Sequence, residues 1–566
     1  MTIAADLVIV NASQVFTATG DGADPGIIED GAVAVHGDRV AWVGPAKRLP
    51  TDVRMPPGDA VIDANRGVIT PGLVDPHTHL VFAGSRPREF EWRLEGRPYL
   101  DILAAGGGIL ATVGSVRAAT EDDLVEQAIP RLGRMLRFGV TTCEAKSGYG
   151  LDVENEMKML RALERLSHAQ PVRILPTLLG AHAFPPGFED DREGYVDLVV
   201  REMIPEAAGA GLAVACDVFV DRGVFSVVQA ERILRAALDA GLALHVHAGQ
   251  FEDLGAPELA ARLGALSADH LDVISDRGLE MMSSGGVTAV LLPGAAVSLG
   301  HEPPRADRFL ASGVRVALAT DLNPGTSYTE NLPLMAFLGA TRMGLGCARA
   351  LLAVTREAAR ATGSAPPDGT VAPGALADLV VHGVQDWREI LYHFGVAHAT
   401  HVVVGGRLVL GGGGASGRPE PLQVIPESRS GHARQPGGGR DVAARPGDEP
   451  LDRLEARRQS LSRAGRRMRR RRQEIDVARM DRAAAGADGG SLQDVPELPH
   501  VPVPRVLLEE RHRLPCDVGC ASFPAIQQPA CHGGDVPDPL AQRWHVNRED
   551  GQAVEQVQPE GAVPDP

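Results

Sequence analysis

Four short segments of this 566-residue chain carry residues whose types and spacing could do chemistry. In residues 68–82, VITPGLVDPHTHLVF, an apolar run ends in His77 and His79. On an extended strand, side chains at i and i+2 share one face, about 7 Å apart at the usual strand rise. Two neutral imidazoles so placed can grip one metal ion, although an isolated pair could equally be two hydrogen-bonded core histidines. The same ending recurs elsewhere. LHVHAGQ supplies His245 and His247, SADH supplies His270, and ATD supplies Asp321. One polar residue closing an apolar run is ordinary packing, but four runs closing this way point to a shared metal site. Three histidines and a carboxylate suit zinc or iron(II), and the donor types alone do not choose between them.

Strands whose ends meet at one place must position these groups. Eight strand-like runs occur between residues 67 and 365: GLVDPHTHL, GVTTCEAKS, VRILPTLLG, AVACDVFVD, LALHVHAG, ALSADHL, VTAVLLPG and VRVALATDL. Between most of them lie segments with apolar residues recurring at three and four, such as DLVEQAIPRLGRMLRFG and VQAERILRAALDAG. Alternation of this kind is the pattern of an α/β protein built as a (β/α)8 TIM-type barrel, whose active site lies at the C-terminal ends of the strands. An open doubly wound sheet is the alternative. It would call for a phosphate-binding turn, and the GGGI at 106–109 lacks the following Lys-Ser/Thr and a clear preceding strand, so it reads as a flexible loop. Residues 1–66 and 366–412 share a different style, short apolar runs broken by Gly, Asp and Pro, which reads as a small β-sandwich built from both chain ends.

Composition narrows the class. Hydrophobic residues make up 44% and aromatics 4%, so a sizeable core must be mostly aliphatic. A net charge of −17 argues against nucleic acid or an anionic membrane as a general partner of the chain. Six cysteines are too sparse for a disulfide scaffold and fit a reducing cytoplasm. The N-terminus has no basic leader-like region, and no apolar run approaches the ~20 residues of a membrane span.

With these residues in view, the pattern PGLVDPHTH…H…H…D on strands one, five, six and eight resembles the amidohydrolase superfamily. More narrowly, HTHLVFAGSRPREFE (77–91), AGGGI (105–109), EAKSGYGL (144–151), LLGAHAFP (178–185), SADH (267–270) and ATDLNPGT (319–326) are similar to the imidazolonepropionases of histidine degradation. The resemblance covers residues 1 to about 410. It implies one divalent metal, zinc ahead of iron, on His77, His79, His247 and Asp321. It also implies a small-molecule substrate, 4-imidazolone-5-propanoate, contacted by Arg86, Tyr149, His182, Asn323, Gly325 and Thr326, with Gln250 orienting substrate or water. The implied reaction is hydrolysis of the lactam C–N bond to N-formimidoyl-L-glutamate by a metal-activated water, with Asp321 moving the proton and His270 hydrogen-bonding the water or oxyanion. A homodimer is compatible with this reading. Another cyclic amidohydrolase or deaminase is the near alternative, and a non-catalytic scaffold the distant one.

Two departures from the superfamily pattern matter. Strand four, VACDVFVD, lacks the carboxylated lysine that bridges two metals in many members, which favours one metal; Lys146, after strand two, reads as structural or as a substrate-loop residue. Position 250 is glutamine where some relatives have glutamate, and an amide cannot serve as a general base. Residues 413–566 fit no part of the pattern. They are rich in Arg, Pro and Gly, contain two aromatics, Phe523 and Trp544, and read as a disordered or frame-shifted tail.

Overall fold

The computed structural model of the protein describes residues 2–97, 101 and 105–411. The parallel strands of the barrel run in chain order: Leu73–Asp75, Val140–Lys146, Arg173–Ala181, Ala215–Val220, a fifth strand in two pieces (Ala243–Leu244 and His247–Ala248), Ser267–His270, Thr288–Leu291 and Val316–Leu318. All eight sequence-identified runs are therefore strands. The barrel is nearly closed, and its seam is made by residues with chemistry to do. Thr78 bridges Leu322, the Asp321 N–H donates to the His77 carbonyl at 3.1 Å, and the His79 N–H donates to the Leu322 carbonyl at 2.9 Å. Closure and placement of the metal-capable side chains are thus one event.

The helices follow from capping and periodicity. Thr120 and Asp123 form a reciprocal capping box at the start of the helix Glu121–Arg137, and Ser226 with Gln229 does the same for Val227–Asp239. Along the first of these, Leu124, Ala128, Leu132 and Met135 are buried at helical spacing against the strands. In the GGGI segment the three glycines form a loop, as expected, that leads directly into a helix. Gly108, at φ +81°, is the entry residue of a helix over Ile109–Ala118, a left-handed conformation that glycine adopts without steric cost.

Two sheets flank the barrel. One has six strands, ordered Arg407–Leu410, Ala399–Val404, Leu379–His382, Val68–Pro71, Gln14–Phe16 and Ile27–Glu29; the other has four, Arg39–Pro45, Gly31–His36, Leu7–Val10 and Val61–Asp63. Both ends of the described chain contribute to the larger sheet. Strand alternation lets it serve two cores: Ile69, Leu379 and Val381 pack against the smaller sheet, while Val68 and Val380 join the barrel core. No helix among the described residues is long and apolar enough to cross a membrane. The segment 413–566 lies outside the described residues.

Candidate metal centre

His77 and His79 lie just beyond the first barrel strand, and His247 is on the fifth. One ring nitrogen from each comes within 4.8 Å of the others, and all three residues are buried. Asp321, past the eighth strand, places Oδ1 3.5 Å from His77 Nε2 and 3.6 Å from His79 Nε2. The Nε2 atoms of His77 and His247 are buried without any hydrogen-bond partner. Leaving such an atom unsatisfied costs about 1–3 kcal/mol each, so two orphaned nitrogens within one group of three histidines, with the Asp321 carboxylate beside His77 and His79, fit a cation bound among them. Burial keeps His77, His79 and His270 well below their ordinary range, hence neutral and able to donate a lone pair. Burial likewise pushes Asp321 well above the usual carboxylate range.

The other strand-end histidines divide. The His270 ring is 5.5 Å from His77 and 5.1 Å from His247, with its Nδ1 buried and unpartnered. His245 turns away and bonds Ser267 Oγ at 2.8 Å. His270 and Asp321 both have positive φ, +73° and +50°. Few non-glycine residues adopt this conformation; at Asp321 the seam bond from its N–H to the His77 carbonyl helps to hold it.

A second layer of charge backs the cradle, and sequence reasoning missed it. Asp269 Oδ2 lies 2.6 Å from His77 Nδ1, and Asp217 Oδ2 lies 2.9 Å from His247 Nδ1. A histidine that donates Nδ1–H to a carboxylate presents its Nε2 lone pair outward. Of the two readings of Lys146, the structure supports the structural one: it ends the second strand, is fully buried, and reaches Asp217 at 2.8 Å, Glu144 at 2.9 Å and Asp269 at 3.5 Å. Burial works against its charge, but Asp217, Glu144 and Asp269 outweigh burial and raise its pKa. Burial alone would push Asp217 up; His247 and Lys146 instead hold it well below the carboxylate range. Asp75, on the first strand, accepts from both the Thr320 hydroxyl (2.6 Å) and its N–H (3.1 Å), anchoring the residue before Asp321. The available signal was a charged residue inside an otherwise apolar run, as in VTTCEAK and ACDVFV.

The expected substrate residues form the opposite wall. The His182 ring stacks on His79 with centroids 5.0 Å apart, its Nδ1 lies 3.0 Å from the Gly148 carbonyl, and burial lowers it to about 3. Tyr149 is buried with its ring 5.6 Å from His79. Its loop is held by Glu156, which accepts the N–H groups of Gly148, Gly150 and Leu151. Gly148 sits at φ +102°, and a Cβ there would meet His182 Nδ1 at 2.9 Å. Arg86 presses its guanidinium so closely on Gly325 that a Cβ at that position would overlap it, and Arg93 donates to the Gly325 carbonyl at 2.8 Å. The buried Nε of Arg86 has no partner. Asn323 is committed to its own turn: its Oδ1 accepts from the N–H groups of Gly325 and Thr326, and its amide nitrogen donates to the Asp321 carbonyl. Gln250 is half-buried just past the fifth strand and bonds no described residue through its side chain.

Comparison with known proteins gives the family. The amidohydrolase family model matches residues 68–409. An imidazolonepropionase of Geobacillus kaustophilus is 46% identical over 417 residues, covering 72% of this chain and 98% of that protein. The imidazolonepropionase of Myxococcus xanthus is 44% identical over 415 residues, with coverage of 72% and 97%. Among solved structures, an adenosine deaminase from Xanthomonas campestris with bound zinc superposes with a TM-score of 0.56 at 19% identity, over 72% of this chain and 93% of its own. An atrazine chlorohydrolase from Arthrobacter aurescens complexed with zinc gives 0.53 at 17% identity, over 71% and 94%. At those identities the two structures speak for the fold alone. The chain belongs to the amidohydrolase family, and within it to the imidazolonepropionases.

Proposed function

We propose that the chain hydrolyses 4-imidazolone-5-propanoate to N-formimidoyl-L-glutamate, a ring-opening step of histidine degradation, in the cytoplasm and with one divalent metal, zinc ahead of iron. The observation that carries this reading is the meeting, at one barrel mouth, of the His77–His79–His247–Asp321 cradle with the facing wall of Arg86, Tyr149 and His182. The relatives' name supplies the substrate. In domain terms, 67–365 holds the hydrolase barrel, with 1–66 and 366–412 as its flanking sandwich, to which 67–365 itself lends the strand Val68–Pro71.

His77, His79 and His247 through ring nitrogens, and Asp321 through a carboxylate oxygen, would hold the ion. When bound, it lowers the pKa of a water to about 7 and polarises the lactam carbonyl. Asp321 accepts the water's proton as the water oxygen adds to the lactam carbon. It returns that proton to the ring nitrogen as the C–N bond breaks, so the elements of water end on the new carboxylate and the released nitrogen. His270, with a buried unpartnered Nδ1, donates to the oxyanion as it forms. Arg86 takes the propionate carboxylate in a two-pronged contact. Tyr149 and His182 wall the ring, Gln250 orients it, and Asn323, Gly325 and Thr326 form the turn on which it rests. A count of one metal is favoured because the Lys146 ammonium already occupies the cluster of Glu144, Asp217 and Asp269, where a second cation would otherwise bind.

The test is a substrate panel with elemental analysis on purified protein. Turnover of imidazolone propionate, against none for hydantoins, dihydroorotate and guanine, is expected with about one metal per chain. Activity on another member of the panel, or two tightly bound ions, would overturn the reading.

A further inference from the structure

We propose that Lys146 is the positioning residue of the metal cradle, its single ammonium setting the orientation of His77 and His247 through Asp269, Asp217 and Glu144. The inference rests on reading the cradle as a metal site. An ammonium has three N–H bonds and no acceptor, and Lys146 faces three carboxylates, at 2.8, 2.9 and 3.5 Å. Each carboxylate continues to a different part of the cradle. Asp217 accepts from the His247 main-chain N–H at 3.1 Å and pairs with its Nδ1 at 2.9 Å, fixing both backbone and ring. Asp269 pairs with His77 Nδ1 at 2.6 Å, and its other oxygen accepts from Ser267 Oγ at 2.5 Å. Glu144 accepts from the N–H of Thr78 at 3.4 Å, between the two histidines of the first strand, and its carbonyl accepts the Thr78 hydroxyl at 2.7 Å.

None of these carboxylates touches solvent to any useful extent, so water cannot replace the ammonium. Three buried carboxylates without a counter-charge repel one another and rotate apart. A displaced Asp269 or Asp217 no longer meets Nδ1–H, and the ring it orients is then free to turn, removing Nε2 from the metal position. The lysine thereby acts on metal affinity from a position that touches neither metal nor substrate.

The test uses full-length, metal-depleted protein, with Co(II) as the probe. Affinity is measured by competition with a chromophoric chelator, and the ligand field is read from the visible cobalt bands. Lys146→Met removes the ammonium. A second variant, Lys146→Gln with Glu144→Gln, removes one charge of each sign and so limits the folding penalty. Both are expected to lose Co(II) affinity by about 10–100-fold, the range for outer partners of metal-bound histidine, and to shift the cobalt bands. A purely structural lysine would lower the melting temperature of metal-free protein yet leave affinity and bands unchanged in whatever folds. That outcome overturns the proposal, as does failure of both variants to fold. Wild-type protein that binds no cobalt would instead overturn the metal reading beneath it.

Discussion

The two sides of the barrel mouth are held by different physics. On the histidine side, His77, His79, His247 and Asp321 are almost completely buried, and compensated charge fixes them from behind: two carboxylates against two imidazoles, with Lys146 between. On the facing side, order comes from turns and main-chain bonds. Asn323 ties its own loop, Glu156 ties the Gly148–Leu151 loop, and Arg86 lies over Gly325 with its buried Nε unpartnered. On the proposed reading, the histidine side holds an ion in one geometry, which calls for rigid, charge-balanced support. On the same reading, the facing side admits and releases an organic anion and needs donors held in place but not fully satisfied: Arg86 pairs with Glu89 at 3.5 Å through Nη1 and keeps its Nε unpartnered.

The contrast makes its largest demand on the ligands. Replacing His77, His79, His247 or Asp321 by Ala should abolish nearly all turnover and lower metal content, a greater loss than the ~10–100-fold of an outer-layer change. Elemental analysis alongside kinetics checks this. A variant that kept both metal and activity would show that the two sides do not divide the work as described.

On the facing side the effect should be smaller and fall on substrate binding. Arg86→Ala should raise KM by about tenfold to a hundredfold, since a lost charge-assisted contact is worth ~1.5–3 kcal/mol, while metal content stays unchanged. An unaltered KM would place the substrate carboxylate elsewhere. Gly325→Ala sharpens the same point. A methyl there would overlap the Arg86 guanidinium, so KM should rise in the same direction by less than in Arg86→Ala, because a flexible side chain can retreat partway. Equal KM values for wild type and Gly325→Ala would mean that Arg86 does not need its seat on the glycine.

The histidine side was far more legible in the sequence than what supports it. His77, His79, His247 and Asp321 each end an apolar run, and strand periodicity brings such ends together, so local pattern nominates them along with His245 and His270, and the family resemblance selects the four. Asp217, Asp269 and Lys146 were visible as charges within apolar strands. Their partners, however, lie on other strands, 71 residues away for Lys146 and Asp217 and 192 for His77 and Asp269, and neither periodicity nor composition reports that register. The run GVTTCEAKS contains Lys146, but nothing in it chooses between a structural lysine and a substrate-loop one. The positive φ of His270 and Asp321 left no trace either; glycine announces such conformations, histidine and aspartate do not. On the facing side the sequence displayed the amide and hydroxyl of NPGT, but not that Asn323 satisfies its own turn.

The smallest effect is expected from the longest change. Every side chain assigned to either side of the mouth lies before residue 331, and the last described strand, Arg407–Leu410, is an edge of the six-stranded sheet. Beyond it the sequence runs through GGGG at 411–414 into segments such as RRMRRRR, with two aromatics in all, Phe523 and Trp544. Ordering such a segment would cost ~1–2 kcal/mol per residue, and its apolar content offers little burial to offset that. Deleting residues 415–566 should therefore leave kcat, KM and metal content unchanged, and the melting temperature within about a degree or two of full length by the stability scale of a domain this size. A truncated protein that melted far lower, or showed a raised KM with metal retained, would mean that the segment supports the facing side of the mouth. The division of labour would then need a third contributor.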